Sequence, residues 1–109
     1  MSPAYPYDGP EALREPILAA LRRVVDPEVA MSIVDVGLVY GVAVTPRQLR
    51  LRLTMTSAAC PATDTIVDEA RAELERVVPP GLGIEVELVW EPAWTPERLS
   101  ERAKAFMGW

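Results

Sequence analysis

Cys60 is the one cysteine of the 109-residue chain, and it stands in the run Thr56-Ser57-Ala58-Ala59-Cys60-Pro61. An alternating apolar stretch precedes this run and an amphipathic one follows it. A proline at the first position of a helix is pre-set for helical geometry and loses no hydrogen bond there. This predicts Cys60 as the N-cap of a helix, facing unpaired N–H groups and the positive end of the helix dipole. Such a place favours thiolate, the form that attacks carbon or sulfur and binds soft metals. The plain alternative is a small buried hydrophobe, a common use of an isolated cysteine.

Two carboxylates, Asp26 and Glu28, bracket Pro27. One reading makes them a solvated stop at the end of the first helix, where acids oppose the dipole by about 0.3–1 kcal/mol. The other makes them hard oxygen ligands or proton acceptors for the thiol. Thr56 and Ser57, at the entry to the cysteine loop, either satisfy turn backbone or belong to the same site.

Composition narrows the chemistry. The chain has no histidine, so Cys–His and Ser–His–Asp constellations and the usual histidine-containing zinc sites are excluded. With a single cysteine, an internal disulfide and a CxxC redox pair are excluded as well. A formal net charge of −5 argues against general nucleic-acid binding. Neither a secretory signal nor a membrane span is visible, and the free cysteine suits a reducing compartment. A soluble cytoplasmic protein is the expectation.

The elements that must position these residues read as follows. Residues 1–12, with their prolines and tyrosines, form a flexible N-terminal arm, and residues 13–109 form a single domain. Leu13, Ile17, Leu18, Leu21, Val24 and Val25 recur at helical spacing, predicting a helix to about Val25 with Pro16 in its first turn. Asp26-Pro27-Glu28 ends it. Gly37–Val44 alternates with Leu38, Tyr40, Val42 and Val44 on one face. After a turn at Thr45–Gln48, a second strand turns Leu49, Leu51, Leu53 and Met55 one way and Arg50, Arg52, Thr54 and Thr56 the other. The helix after Cys60 shows a stripe of Ile66, Val67, Ala70, Leu74, Val77 and Val78. A third strand turns Ile84, Val86, Leu88 and Trp90 inward and Glu85, Glu87 and Glu91 outward. Arg50 and Arg52 opposite Glu85 and Glu87 favour adjacent strands, parallel because a helix intervenes. Trp90, Trp94 and Trp109 are core or interface anchors, with packing favoured for Trp90. Thr95-Pro96-Glu97 caps a last helix to about Phe106. The expected fold is a small two-layer α+β sandwich, order α-β-β-α-β-α, with a three-stranded mixed sheet covered by helices.

Four stretches occur in order: Val25-Asp26-Pro27-Glu28-Val29, Ile33-Val34-Asp35-Val36-Gly37-Leu38-Val39-Tyr40, Thr54-Met55-Thr56-Ser57-Ala58-Ala59-Cys60-Pro61 and Trp90-Glu91-Pro92-Ala93-Trp94-Thr95-Pro96. Together they closely resemble the iron–sulfur cluster assembly domain family that includes SufT and PaaD, over roughly residues 13–108. The resemblance implies an accessory factor in maturing iron–sulfur proteins, working with the assembly machinery and apo client proteins. It implies a functional site at Asp26, Glu28, Thr56, Ser57 and Cys60, the acidic and cysteine loops lying close together. PaaD-type members serve an oxygenase system for phenylacetyl-CoA breakdown and carry a further cysteine-rich segment. The sequence ends at Trp109 without a second cysteine, which favours the short, SufT-like form.

A protein-held cluster ordinarily takes four thiolates, so no tightly bound cofactor is expected. One thiol leaves three options: transient iron or cluster binding with exogenous ligands, two Cys60 residues shared across a homodimer, or a cysteine that docks a partner. An adaptor is expected rather than an enzyme. The competing readings are a PaaD-like oxygenase component and a cysteine-dependent enzyme in which a carboxylate assists Cys60.

Overall fold

In the computed structural model of the protein, residues 5–56 and 62–108 are described. The chain runs β1 (Tyr7–Asp8), α1 (Glu11–Arg22), β2 (Val25–Asp26), β3 (Met31–Ser32), α2 (Ile33–Val36), β4 (Val39–Val44), β5 (Gln48–Leu53), α3 (Thr63–Glu75), β6 (Gly83–Leu88), a 3-10 turn (Pro96–Arg98) and α4 (Glu101–Met107). The sheet order is β1-β4-β5-β6, with β2 and β3 forming a separate hairpin. This is the expected α+β architecture, with β1, the small hairpin and the one-turn α2 added to it.

The centre of the sheet follows the alternation of apolar residues. Strands β4 and β5 are antiparallel, closed by a turn in which Thr45 N–H donates to Gln48 O at 2.8 Å. Strand β6 lies parallel to β5 in register Arg50↔Glu85 and Arg52↔Glu87, as the charge pattern predicts. Leu49, Leu51, Leu53 and Met55 are buried in one cluster with Ile17, Ala20 and Leu21 of α1 and Ile66, Ala70 and Leu74 of α3. The opposite face carries Arg50 and Arg52 in solvent beside Glu85 and Glu87, at 3.3 and 3.2 Å.

Several expectations are corrected. Residues 5–8 are not a loose arm: Tyr7 and Asp8 pair with Val42 and Ala43, and Tyr5 is buried in the core. Helix α1 starts at Glu11 and ends at Arg22, so Pro16 lies in its second turn. The ring removes one helical donor, and the buried stripe of Ile17, Ala20 and Leu21 carries the helix past it. Val25 belongs to β2 and is exposed. The strict alternation of β4 breaks at an irregularity between Val39 and Gly41, which takes Tyr40 out of step and turns Val39 and Val42 inward. Thr54 is buried, not outward, because β5 ends at Leu53 and the Thr54 N–H turns to donate to Leu38 O at 2.8 Å.

Helix α3 ends at Glu75, leaving Val77 and Val78 beyond it as partly buried packing residues. Strand β6 is a sheet edge, so Leu88 and Trp90, expected inward, are exposed at 38% and 43%. The last helix begins not after Thr95 but at Glu101. Its N-cap is Ser100, whose Oγ accepts from Ala103 N–H at 3.1 Å. Trp109 lies outside the described residues.

Candidate functional site

Asp26 and Glu28 do not close α1. They sit in the β2–β3 hairpin, where Val25 pairs with Ser32 and Asp26 with Met31. Proline at 27 fixes the start of the turn, and Asp26 then organises it twice over. Its carbonyl accepts from Val29 N–H at 3.3 Å and Ala30 N–H at 2.8 Å. Its Oδ1 accepts from Glu28 N–H at 2.9 Å, the Asx-turn role that favours aspartate at such positions. Ala30 closes the turn in the left-handed region, at φ 58°.

The second carboxylate oxygen is unusual. Asp26 is only 1% exposed, and its Oδ2 has no hydrogen-bond partner among the described residues. Leaving a buried polar atom unpaired costs about 1–3 kcal/mol, and more where the group is charged. Glu28, by contrast, is exposed. Among the described residues no three acidic or thiol side chains gather as a metal cage, so Asp26 and Glu28 bring two carboxylates and no third ligand residue.

Of the cysteine-loop residues, Thr56 is described and exposed, just past the end of β5. Ser57, Cys60 and Pro61 lie outside the described residues. The N-cap of α3 is Ala62, which makes no side-chain cap hydrogen bond, and the helix starts at Thr63. The N-cap expected at Cys60 is therefore Ala62 instead. A methyl cap has nothing to offer the first N–H groups, whereas a cysteine cap was expected from Pro61 alone.

What links the acidic hairpin to the strand end is a relay of main-chain hydrogen bonds. Ile33 N–H donates to Val24 O at 2.9 Å, Leu38 N–H to Ile33 O at 2.9 Å, and Thr54 N–H to Leu38 O at 2.8 Å. Asp26 stands two residues after the first acceptor and Thr56 two residues after the last donor. The relay runs through α2, whose N-cap Ser32 accepts from Val34 N–H at 3.0 Å and whose C-cap is Gly37, at φ 81°.

A strap from Pro92 to Ser100, unforeseen as a structural unit, clamps the C-terminal end of α2. Trp94 Nε1–H donates to Val36 O at 2.7 Å, Arg98 Nε–H to Gly37 O at 2.9 Å, and Ser100 N–H to Asp35 O at 2.8 Å. Ser100 Oγ–H reaches Asp35 Oδ1 at 3.0 Å, and the Arg98 guanidinium lies over the Tyr40 ring at 4.0 Å. Carbonyls at a helix C-terminus need outside donors, and the strap supplies them. The signal available for it was the Trp90–Pro96 run, in which Trp94 is the anchor and Trp90 stays in solvent.

Residues 14–88 match the family model described as iron–sulfur cluster assembly protein. The chain belongs to the iron–sulfur cluster assembly family. It is 42% identical over 99 residues to the Fe-S protein maturation auxiliary factor YitW of Bacillus subtilis, covering 90% of this chain and 96% of the relative. It is 37% identical over 86 residues to the Fe-S protein maturation auxiliary factor SufT of Staphylococcus aureus, covering 78% and 97%. Among solved structures, a Bacillus anthracis domain of unknown function superposes with a TM-score of 0.83 at 39% identity, covering 90% of this chain and 93% of that one. The family match includes the acidic hairpin, the relay through α2 and the Cys60 segment, while the strap lies past its end.

Proposed function

We propose that this member of the iron–sulfur cluster assembly family is an accessory factor in the maturation of iron–sulfur proteins, acting through Cys60 and through contacts with the assembly machinery and apo client proteins. One observation gives the reading its residue-level content. Asp26 keeps a buried oxygen, unpaired among the described residues, in a hairpin tied by main-chain hydrogen bonds to the strand end that leads toward Cys60. A cost of that kind is offset when the group meets a cargo or partner. Asp26, Glu28, Thr56, Ser57 and Cys60 then form the working site. Cys60 supplies the soft donor that iron–sulfur chemistry selects, and the carboxylates supply harder oxygens.

One thiolate cannot hold a four-thiolate cluster, so iron or cluster passes through this site as cargo. Exogenous ligands, or the Cys60 of a second copy, complete its coordination. The relatives named maturation auxiliary factors favour this reading over a PaaD-like oxygenase component.

The test is Cys60→Ser, placed in the host at wild-type protein level. Iron–sulfur enzyme activities are expected to fall several-fold while the folded protein stays intact. Undiminished activities at equal protein level would overturn the proposal. Anaerobic reconstitution with ferrous iron and sulfide, read by absorbance and native mass, separates a carrier from an adaptor that only docks partners.

A further inference from the structure

Beside the β2–β3 hairpin lies a cleft of about 560 Å³. It opens between the last turn of α1, the hairpin and α4, and its walls include Arg22, Met31, Ser32, Asp35, Arg102 and Phe106. The volume is within the range of sites that bind small ligands or short peptide segments.

Its charge is what sets it apart. The protein carries a net charge of −5, and its cations are mostly accounted for. Six basic side chains hold a carboxylate within 4.0 Å, and Arg71 and Arg98 donate to main-chain carbonyls. Among the described residues, Arg22, Arg47 and Arg102 have neither kind of partner. Two of these three, from elements far apart in sequence, front the same cleft. Bringing two unpaired cations to one concave surface is unfavourable unless an anion joins them.

The remaining walls decide which anion. Phe106 is 71% exposed, and Met31 stands partly buried beside the hairpin, so the cleft offers apolar surface next to its charges. Arginine, methionine and aromatic residues including phenylalanine are enriched at protein interfaces. Asp35 also lines the cleft, holding Ser100 through Oδ1. A phosphate dianion would meet that carboxylate, whereas singly charged carboxylates spaced along a chain can reach the arginines and pass it by.

We propose that this cleft is a docking site for an acidic segment of a partner protein, with carboxylates on Arg22 and Arg102 and an apolar side chain against Phe106 and Met31. The proposal does not depend on Cys60 holding cargo, and its test reads binding alone. Met31 pairs across the hairpin with Asp26, so a segment bound here touches the hairpin that carries the unpaired carboxylate.

The test is fluorescence anisotropy with a fluorescein-labelled peptide of alternating glutamate and leucine, titrated with the intact protein at low ionic strength. Saturable binding is expected, weakening as salt is raised. The double variant R22E/R102E should weaken it by about tenfold or more, and F106S should weaken it with the charges intact. R47E, on the β4–β5 turn, should leave it unchanged. All these positions are exposed, and the neutralising pair R22Q/R102Q serves if the reversal fails to fold. Four results would overturn the proposal: no saturation with the wild type, equal weakening by R47E, equal binding of a glutamine–leucine peptide, or full displacement by millimolar inorganic phosphate.

Discussion

The sheet and the hairpin end of this molecule treat charge in opposite ways. On the open face of β5 and β6, Arg50 meets Glu85 and Arg52 meets Glu87, every partner roughly half in water. Pairs of this kind contribute about 0.2–1 kcal/mol each, and the loss of one leaves two solvated side chains. In the hairpin a single carboxylate is buried with one oxygen satisfied and the other without a partner among the described residues. The sheet is held by repetition, in which neighbouring contacts back one another. The hairpin, α2 and the strap are held by single bonds, each made by one residue. Robust regions of a fold tolerate change, and singular ones are where a cost points to use.

Gly37 offers the sharpest way to break this contrast. At φ 81° with a Cβ position 2.3 Å from Arg98 O, an added methyl meets both backbone strain and the strap. Gly37→Ala is expected to lower stability by about 3 kcal/mol, combining left-handed strain with displacement of the strap. Urea unfolding checks it, and a loss below about 0.5 kcal/mol would mean the clamp on α2 carries little weight.

Asp26→Asn comes next and has the opposite sign. A neutral amide keeps an acceptor for Glu28 N–H and removes a buried charge that has no ion partner among the described residues. Stability is expected to rise by about 1 kcal/mol, while iron–sulfur enzyme maturation in the host falls. A thermal midpoint that drops would show the carboxylate to be structural, and the contrast between the two regions would dissolve.

For the sheet, a double-mutant cycle on Arg50→Ala and Glu85→Ala should give a coupling under about 1 kcal/mol that shrinks in high salt. A larger, salt-insensitive coupling would place the open face among the singular features.

The smallest effect belongs to Tyr5. Burial pushes its phenol from 10.0 up to about 12. Above pH 10 the unfolded chain releases this proton and the folded one keeps it, so the contribution is complete below pH 10 and is lost as the pH rises to about 12. Tyr5→Phe should leave stability at neutral pH nearly unchanged, remove that alkaline slope, and delete the last phenolate absorbance step. An unaltered titration would mean Tyr5 is not held in the core.

The parts legible in the sequence are those with a period. Leu49, Leu51 and Leu53 against Arg50 and Arg52 announce a one-sided strand, and the facing glutamates announce its parallel neighbour. The candidate site could be proposed from residue types, but the sequence misplaced its acidic half. Pro27 marks a stop equally well after a helix or inside a hairpin, and only the pairing of Asp26 with Met31 distinguishes them. Likewise Pro61 suggests a helix start that α3 takes two residues later. The strap was legible only as the Trp90–Pro96 run, because its bonds reach carbonyls about sixty residues away and no spacing in the sequence pairs the two ends. Trp94 and Arg98 make sense beside Val36 and Gly37 only once the fold brings them together.

That adjacency also makes the molecule its own optical gauge. The Trp94 indole is tethered to Val36 O and partly shielded, whereas Trp90 lies open to water. Two emitters four residues apart thus report on different surroundings. A quencher such as acrylamide reaches Trp90 more readily than Trp94, so in a Trp109→Phe background two quenching constants report separately on the open sheet edge and on the strap, without any label.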